Sequence, residues 1–217
     1  DVKRPGMVYA AVKRTPVAGG TLRRVDDNAA RAMKGVIDVV KVGPSSAAGL
    51  VGTYSAGDTI AVVADSYWTA EKALASLKLE WNTEGKERVS SESIFEQFDR
   101  DITAGVDRAN DVAMGDATAA FDSAATVLTA DYRVPYLAHT CMEPPNATAE
   151  VFADRAEIWV GCQNPLGFRQ HLAANLGLDV QQVTLHNYFM GGGFGRKSNA
   201  DYALQAAMIA RQVGRPV

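Results

Sequence analysis

The chain has 217 residues, enough for one large domain or two small ones with a substantial core. Its formal net charge of −3 gives no general attraction to nucleic acid or to anionic membrane surfaces, so a nucleic-acid partner is not expected. No apolar run reaches bilayer-spanning length.

Residues 7–13 read as a strand, residues 16–20 as a loop and residues 22–25 as a short strand. Asp26-Asp27 can cap a helix over 28–33 that ends at Gly35. Residues 36–42 form a second good strand, 43–49 a loop and 59–64 a third strand. Asp65 or Ser66 then caps a helix from Tyr67 to about Leu77, and residues 78–81 form a fourth strand. This order suggests a compact α+β module. Ser90 or Ser91 opens an amphipathic helix containing Ile94, Phe95 and Phe98. Residues 101–125 are rich in small and acidic side chains without apolar period and read as a linker. Strands are expected over 126–134, 147–152, 157–160 and 183–189. Asn164-Pro165 fits an N-cap followed by proline at the first helical position, with the helix running to Leu176 and ending at Gly177. A final helical pattern covers 201–213.

The chain opens on Asp1-Val2-Lys3 and closes on Gly214-Arg215-Pro216-Val217, which reads like the approach to another strand. Both ends look cut, so an internal segment of a longer polypeptide, or a processed one, is expected. Cys141 and Cys162 make no C-x-x-C pair. They permit one disulfide in an oxidising compartment, but two buried free thiols are the favoured reading. His139, His171 and His186 are too widely spaced to suggest a zinc site.

The most informative stretch is Met190-Gly191-Gly192-Gly193-Phe194-Gly195-Arg196-Lys197, between a strand and a helix. Glycines let another molecule approach the backbone N–H groups closely, and a helix N-terminus favours an anion. The dinucleotide fingerprint fails because Arg196 stands where its third glycine belongs, and the P-loop pattern fails at the same residue. A tight turn with Phe194 plugging the core stays open as an alternative. Two other junctions are polar. Glu143 is held extended by Pro144 and follows His139 by four residues. It could be a buried, paired carboxylate, although spacing alone favours a solvated loop glutamate. Asn164 is explained by capping; Gln163 beside it is not. If these strand ends converge, they form a crevice of the kind that holds cofactors.

The glycine stretch is similar to the glycine–phenylalanine loop of the xanthine dehydrogenase/aldehyde oxidase superfamily. Gln163-Asn164-Pro165, Leu176-Gly177-Leu178 and residues 202–217 stand at matching steps. Met142-Glu143-Pro144 with Asn146, and Arg196 in the loop, resemble the molybdopterin-binding large subunit of the isoquinoline 1-oxidoreductase type. Pro5-Gly6-Met7, Val25-Asp26, Gly35-Val36 and the strand ending at Ala64-Asp65 resemble its α/β-hammerhead domain. The resemblance implies an α+β fold. A hammerhead domain would occupy 1–100, a linker 101–125 and the first part of a molybdopterin-binding domain 126–217. It implies a molybdenum hydroxylase that oxidises aldehydes or hydroxylates N-heterocycles with oxygen from water. The implied cofactor is a molybdopterin in dinucleotide form, contacted by Gln163, Gly192, Gly193, Phe194, Gly195 and Arg196, with no metal ligand from this chain. The family's catalytic glutamate lies downstream of the matched segments, so these residues alone are expected to be inactive. Electrons would leave through an iron–sulfur subunit or a cytochrome, because cluster-type cysteines are lacking here. Leu137 stands where xanthine dehydrogenases carry a glutamine, which argues against purine-type chemistry. Members of this branch are often exported by the twin-arginine route, so the resemblance allows the periplasm and leaves a cytoplasmic location open. The competing class is a non-catalytic fold or assembly module whose glycine loop is only structural.

Overall fold

Capping side chains and glycines stop and start the elements largely where the sequence places them. The computed structural model describes residues 2–43, 46–49, 52–55, 57–86, 89–105 and 114–217. Parts of the expected 43–49 loop and 101–125 linker lie outside the described residues. The first elements are β1 (Tyr9–Arg14), β2 (Thr21–Asp26), α1 (Asn28–Arg31) and β3 (Val36–Val42). They are followed by β4 (Ser46–Gly49), β5 (Gly52–Ser55), β6 (Thr59–Ala64), α2 (Tyr67–Ala75) and β7 (Lys78–Asn82). Ser66, not Asp65, caps α2 by accepting the Thr69 N–H at 3.2 Å. The loop expected over 43–49 is corrected in part, because β4 pairs with β5 as an antiparallel hairpin.

The uninterrupted apolar run of β6 is the reason this region is organised as it is. β1 and β3 flank β6 antiparallel, and every residue of β6 is buried. A strand buried on both faces loses the usual alternation of polar and apolar residues. Ile60, Val62 and Ala64 face one cluster with Ala70, Ala73 and Leu74 of α2. Ala61 and Val63 face the opposite cluster.

That second cluster is built mostly by the last third of the chain. Its elements are β8 (Ala147–Val151), β9 (Ala156–Val160), α5 (Pro165–Leu176), β10 (Val183–Asn187) and α6 (Asp201–Val213). Asn164 caps α5 through the Gly167 N–H at 3.1 Å, and Gly177 ends it with φ 68°. The sheet order is β10-β9-β8, with β9 and β10 parallel and β8 antiparallel. Leu204, Ala207 and Ile209 of α6 pack against Phe168 and Leu172 of α5, Ile158 of β9 and Val42 of β3. Val217 exchanges two backbone hydrogen bonds with Ala149 of β8. Residues 1–86 and 139–217 thus form one compact unit with a shared core, and the fold is α+β.

Residues 87–138 form a second unit. Its helix α3 (Ser91–Ala104) begins with a capping box in which Ser90 and Ser93 satisfy each other's backbone N–H. It buries no residue, although Arg133 pairs with Asp99 at 2.9 Å and lies over Phe95. A second helix, α4 (Ala117–Ser123), is capped by Asp116 and is exposed throughout. The strand expected over 126–134 is not formed, and Leu128, Tyr132 and Val134 are exposed. β propensity describes fit to a half-buried pleated surface, and no described strand offers this segment that surface.

Segments with few buried contacts open most readily. Brief treatment with a broad-specificity protease is therefore expected to cut first between residues 114 and 138. First cuts inside β6, seen by mass spectrometry, would contradict this picture.

Candidate functional site

A β–α–β crossover places the carboxyl ends of two parallel strands side by side, and ligands commonly bind beyond such ends. Here α5 connects β9 to β10, and Val160 stands opposite Asn187 at the last register position. The chain leaving β9 carries Gln163, and the chain leaving β10 becomes the glycine loop. Asn187 joins the two exits by accepting the Cys162 N–H at 3.0 Å, and the Tyr188 N–H donates to Val160 at 3.0 Å.

The three polar junctions do converge. The Gly195 N–H donates to Gln163 Oε1 at 3.0 Å, and the Gln163 N–H donates to the Lys197 carbonyl at 3.0 Å. A Cβ on Gly193 would stand 2.5 Å from Gln163 Oε1, so glycine is required there for the amide to reach the loop. Glu143 is half-buried and paired, contrary to the solvated reading. Its Oε2 accepts the Gly191 N–H at 3.0 Å and a hydrogen bond from Lys197 Nζ, while its own N–H donates to the Gly191 carbonyl at 3.2 Å. Lys197, with the Gly191 N–H, holds the Glu143 carboxyl below the usual carboxylate range. His139 is exposed and makes no hydrogen bond to Glu143 among the described residues.

Arg196 follows the loop and forms a bidentate pair with Asp201, at 2.9 and 2.8 Å, in the first turn of α6. Arg14 of β1 binds the same carboxylate from the other half of the unit. Asp201 is fully buried. Burial pushes its carboxyl up, but the Arg196 hydrogen bonds and the two guanidinium charges outweigh this and hold it below the usual value. Nothing in the sequence marked Arg14, one residue past the expected strand, or Asp201 beyond its place at a helix start. Lys197 entered only through the failed P-loop comparison.

The loop leaves donors unused. Gly193 is buried, and the backbone N–H groups of Gly192, Gly193 and Phe194 have no acceptor among the described residues. Buried N–H groups are rarely left unpaired in a finished structure. Gly195 has φ 91°, and a Cβ there would meet no atom within 4 Å. Its glycine therefore answers to the backbone conformation and to the open space beside it, not to packing. Phe194 does not plug the core: it is exposed, as are Phe189, Tyr188, Leu166 and Met142. The cysteines are both free, with Cys162 buried and Cys141 half-buried, so the two-thiol expectation holds for pairing and only partly for burial. Among the described residues no group of histidine, cysteine and carboxylate side chains could hold a metal ion.

The family model of the molybdopterin cofactor-binding domain matches residues 99–217, more than half of the chain. The chain belongs to this family. It is 32% identical over its full length to the membrane-bound aldehyde dehydrogenase [pyrroloquinoline-quinone] of Gluconacetobacter polyoxogenes. It is 30% identical, again over its full length, to the isoquinoline 1-oxidoreductase subunit beta of Brevundimonas diminuta. The chain spans 27% of the length of each of these relatives. The structure of quinoline 2-oxidoreductase from Pseudomonas putida 86 superposes with a TM-score of 0.67 at 22% identity, covering all of this chain and 31% of that one. The chain therefore shares the fold of the matching part of quinoline 2-oxidoreductase, and the family resemblance read from the loop is correct.

Removing one partner of a buried ion pair leaves a charge uncompensated and costs about 3–5 kcal/mol. Asp201→Asn is expected to destabilise the protein in chemical denaturation by less than that, because the Arg14 and Arg196 side chains it leaves are 31% and 23% exposed and keep part of their hydration. The folded pKa values of Asp201 and Glu143 are both depressed, so their contribution is complete above the unfolded carboxyl range, at about pH 4–4.5, and is lost as pH falls below it. The acid side of the stability profile should flatten in Asp201→Asn. An unchanged profile would contradict the assignment.

Proposed function

We propose that this chain is part of the large subunit of a molybdenum hydroxylase that oxidises aldehydes or hydroxylates N-heterocycles, taking oxygen from water. The carrying observation is that the backbone N–H groups of Gly192, the buried residue Gly193 and Phe194 have no acceptor among the described residues, beside the open face of Gly195. These residues fit an anionic group that brings its own acceptor atoms. In this reading Gln163, Gly192, Gly193, Phe194, Gly195 and Arg196 hold a molybdopterin, in its dinucleotide form, as part of a longer chain.

When bound, the cofactor supplies the two-electron oxidation, and the protein supplies orientation and electrostatics. The loop's N–H groups bind and orient its anionic part. Gln163 uses its side-chain oxygen to fix the Gly195 peptide, which directs the neighbouring donors. Arg196 keeps positive charge at the loop's end, and with Arg14 it outweighs the single charge of Asp201. The proposal includes the division into a hammerhead domain over 1–100, a linker over 101–125 and the start of the cofactor-binding domain at 126. It also includes an electron-accepting partner, an iron–sulfur subunit or a cytochrome, since this stretch has only two cysteines.

Gly195→Val in the intact enzyme tests the reading. Loss of one preorganised donor contact can cost on the order of 10²-fold in turnover. The variant is expected to lose molybdenum occupancy or turnover by about that factor, with a melting temperature lowered only by the backbone strain at positive φ. A fully loaded, fully active variant would contradict the site. So would a variant whose only defect is instability, with normal turnover per molybdenum.

A further inference from the structure

We propose that Glu143 is the positioning residue of the glycine loop, fixing both of its ends through one carboxylate oxygen, with Lys197 as its buried counter-charge. The functional consequence rests on the reading above that the loop faces the cofactor; the geometry does not.

Gly191 opens the loop and Lys197 closes it. Oε2 of Glu143 accepts a hydrogen bond from each: the Gly191 N–H at 3.0 Å and Lys197 Nζ. The Glu143 N–H to the Gly191 carbonyl adds a second tie at the opening end. The approach is close, since a Cβ on Gly191 would stand 2.8 Å from Glu143 Cβ. Gln163 holds the middle, at Gly195, and meets the closing end at the Lys197 carbonyl. The loop is therefore pinned at its start, its middle and its finish by two side chains that come from outside it.

The chemistry explains why a charge is used. A glycine loses more conformational freedom on ordering than a residue with a side chain, so a glycine loop needs ties to hold one conformation. The donors at Gly192, Gly193 and Phe194 have no acceptor among the described residues to hold them in place. Directional, charge-assisted hydrogen bonds at the loop's base supply what packing does not. Stability alone is a poor reason for the lysine. The Lys197 side chain is 1% exposed, and apolar replacements of buried ion pairs are often neutral or stabilising. A pair whose lysine is buried and whose half-buried carboxylate reaches both ends of the loop serves geometry.

The test is amide hydrogen exchange on the full-length protein, with melting temperature measured alongside. The reporters are the bonded loop amides of Gly191, Gly195, Arg196 and Ser198; the controls are amides of β9 and α5. Glu143→Asp keeps the charge but shortens the reach. It is expected to raise exchange at Gly191 about tenfold, the equivalent of one lost hydrogen bond, with the controls unchanged. The double variant Glu143→Gln with Lys197→Met removes both charges, so no unpaired ion remains to unfold the protein. Its melting temperature is expected to stay near the parent's while Arg196 and Ser198 exchange about tenfold faster. Parental loop protection in either variant would overturn the proposal, whatever the metal content of the intact enzyme. Loosened loops together with unchanged molybdenum retention in the intact enzyme would keep the positioning role and remove the cofactor reading.

Discussion

Asp201 is the point where three separate parts of the chain meet. Its carboxylate is fully buried and receives Arg14 from β1 and Arg196 from the end of the glycine loop, while its backbone opens α6. A buried carboxylate with no partner would be expelled or protonated, so the two guanidiniums are a requirement of the fold. Their placement brings the β1-β6-β3 sheet, α6 and the loop into one arrangement. Gln205, one turn along α6, extends the contact by accepting from Arg14 at 3.3 Å and donating to Thr59 of β6 at 3.3 Å. The loop therefore sits on a frame supplied by both the first and the last parts of the chain.

That frame explains a division of labour among the loop's residues. Gly191 and Gly193 are glycines because other side chains press against them: Glu143 on one, Gln163 on the other. Gly195 is a glycine for a different reason, a positive φ beside empty space. The first two make the loop rigid, and the last keeps its outer side accessible. Backbone donors held in place with no partner among the described residues are what electrostatic preorganisation needs. Phe189 and Phe194 in the segment after β10, Leu166 in the first turn of α5 and Met142 beside Glu143 are exposed apolar residues.

Local signals carried most of the element boundaries. The apolar run of β6 and the helix α5, with Asn164 at its start and Gly177 at its end, were legible because their chemistry acts within a few residues. The β4–β5 hairpin and the unpaired 126–134 segment were not, since strand pairing is decided by what lies alongside. The same limit applied to the site. Gln163 stood out because capping left it unexplained, and the loop stood out by composition. Glu143 was read as solvated because its partner Lys197 is 54 positions away. Arg14 meets Asp201 across 187 positions, and no periodicity reports such a contact. The shared core of residues 1–86 and 139–217 was hidden for the same reason: β6 shows that it is buried on both faces, but not by which helices.

The most direct measurement is an experimental structure of the intact enzyme with its cofactor bound. The account predicts an acceptor atom of the molybdenum cofactor within hydrogen-bond distance, about 2.7–3.2 Å, of at least one of the Gly192, Gly193 and Phe194 nitrogens. It also predicts that Gln163 and Glu143 keep their hold on the loop. A cofactor seated elsewhere, with those three N–H groups facing protein or solvent, would contradict it.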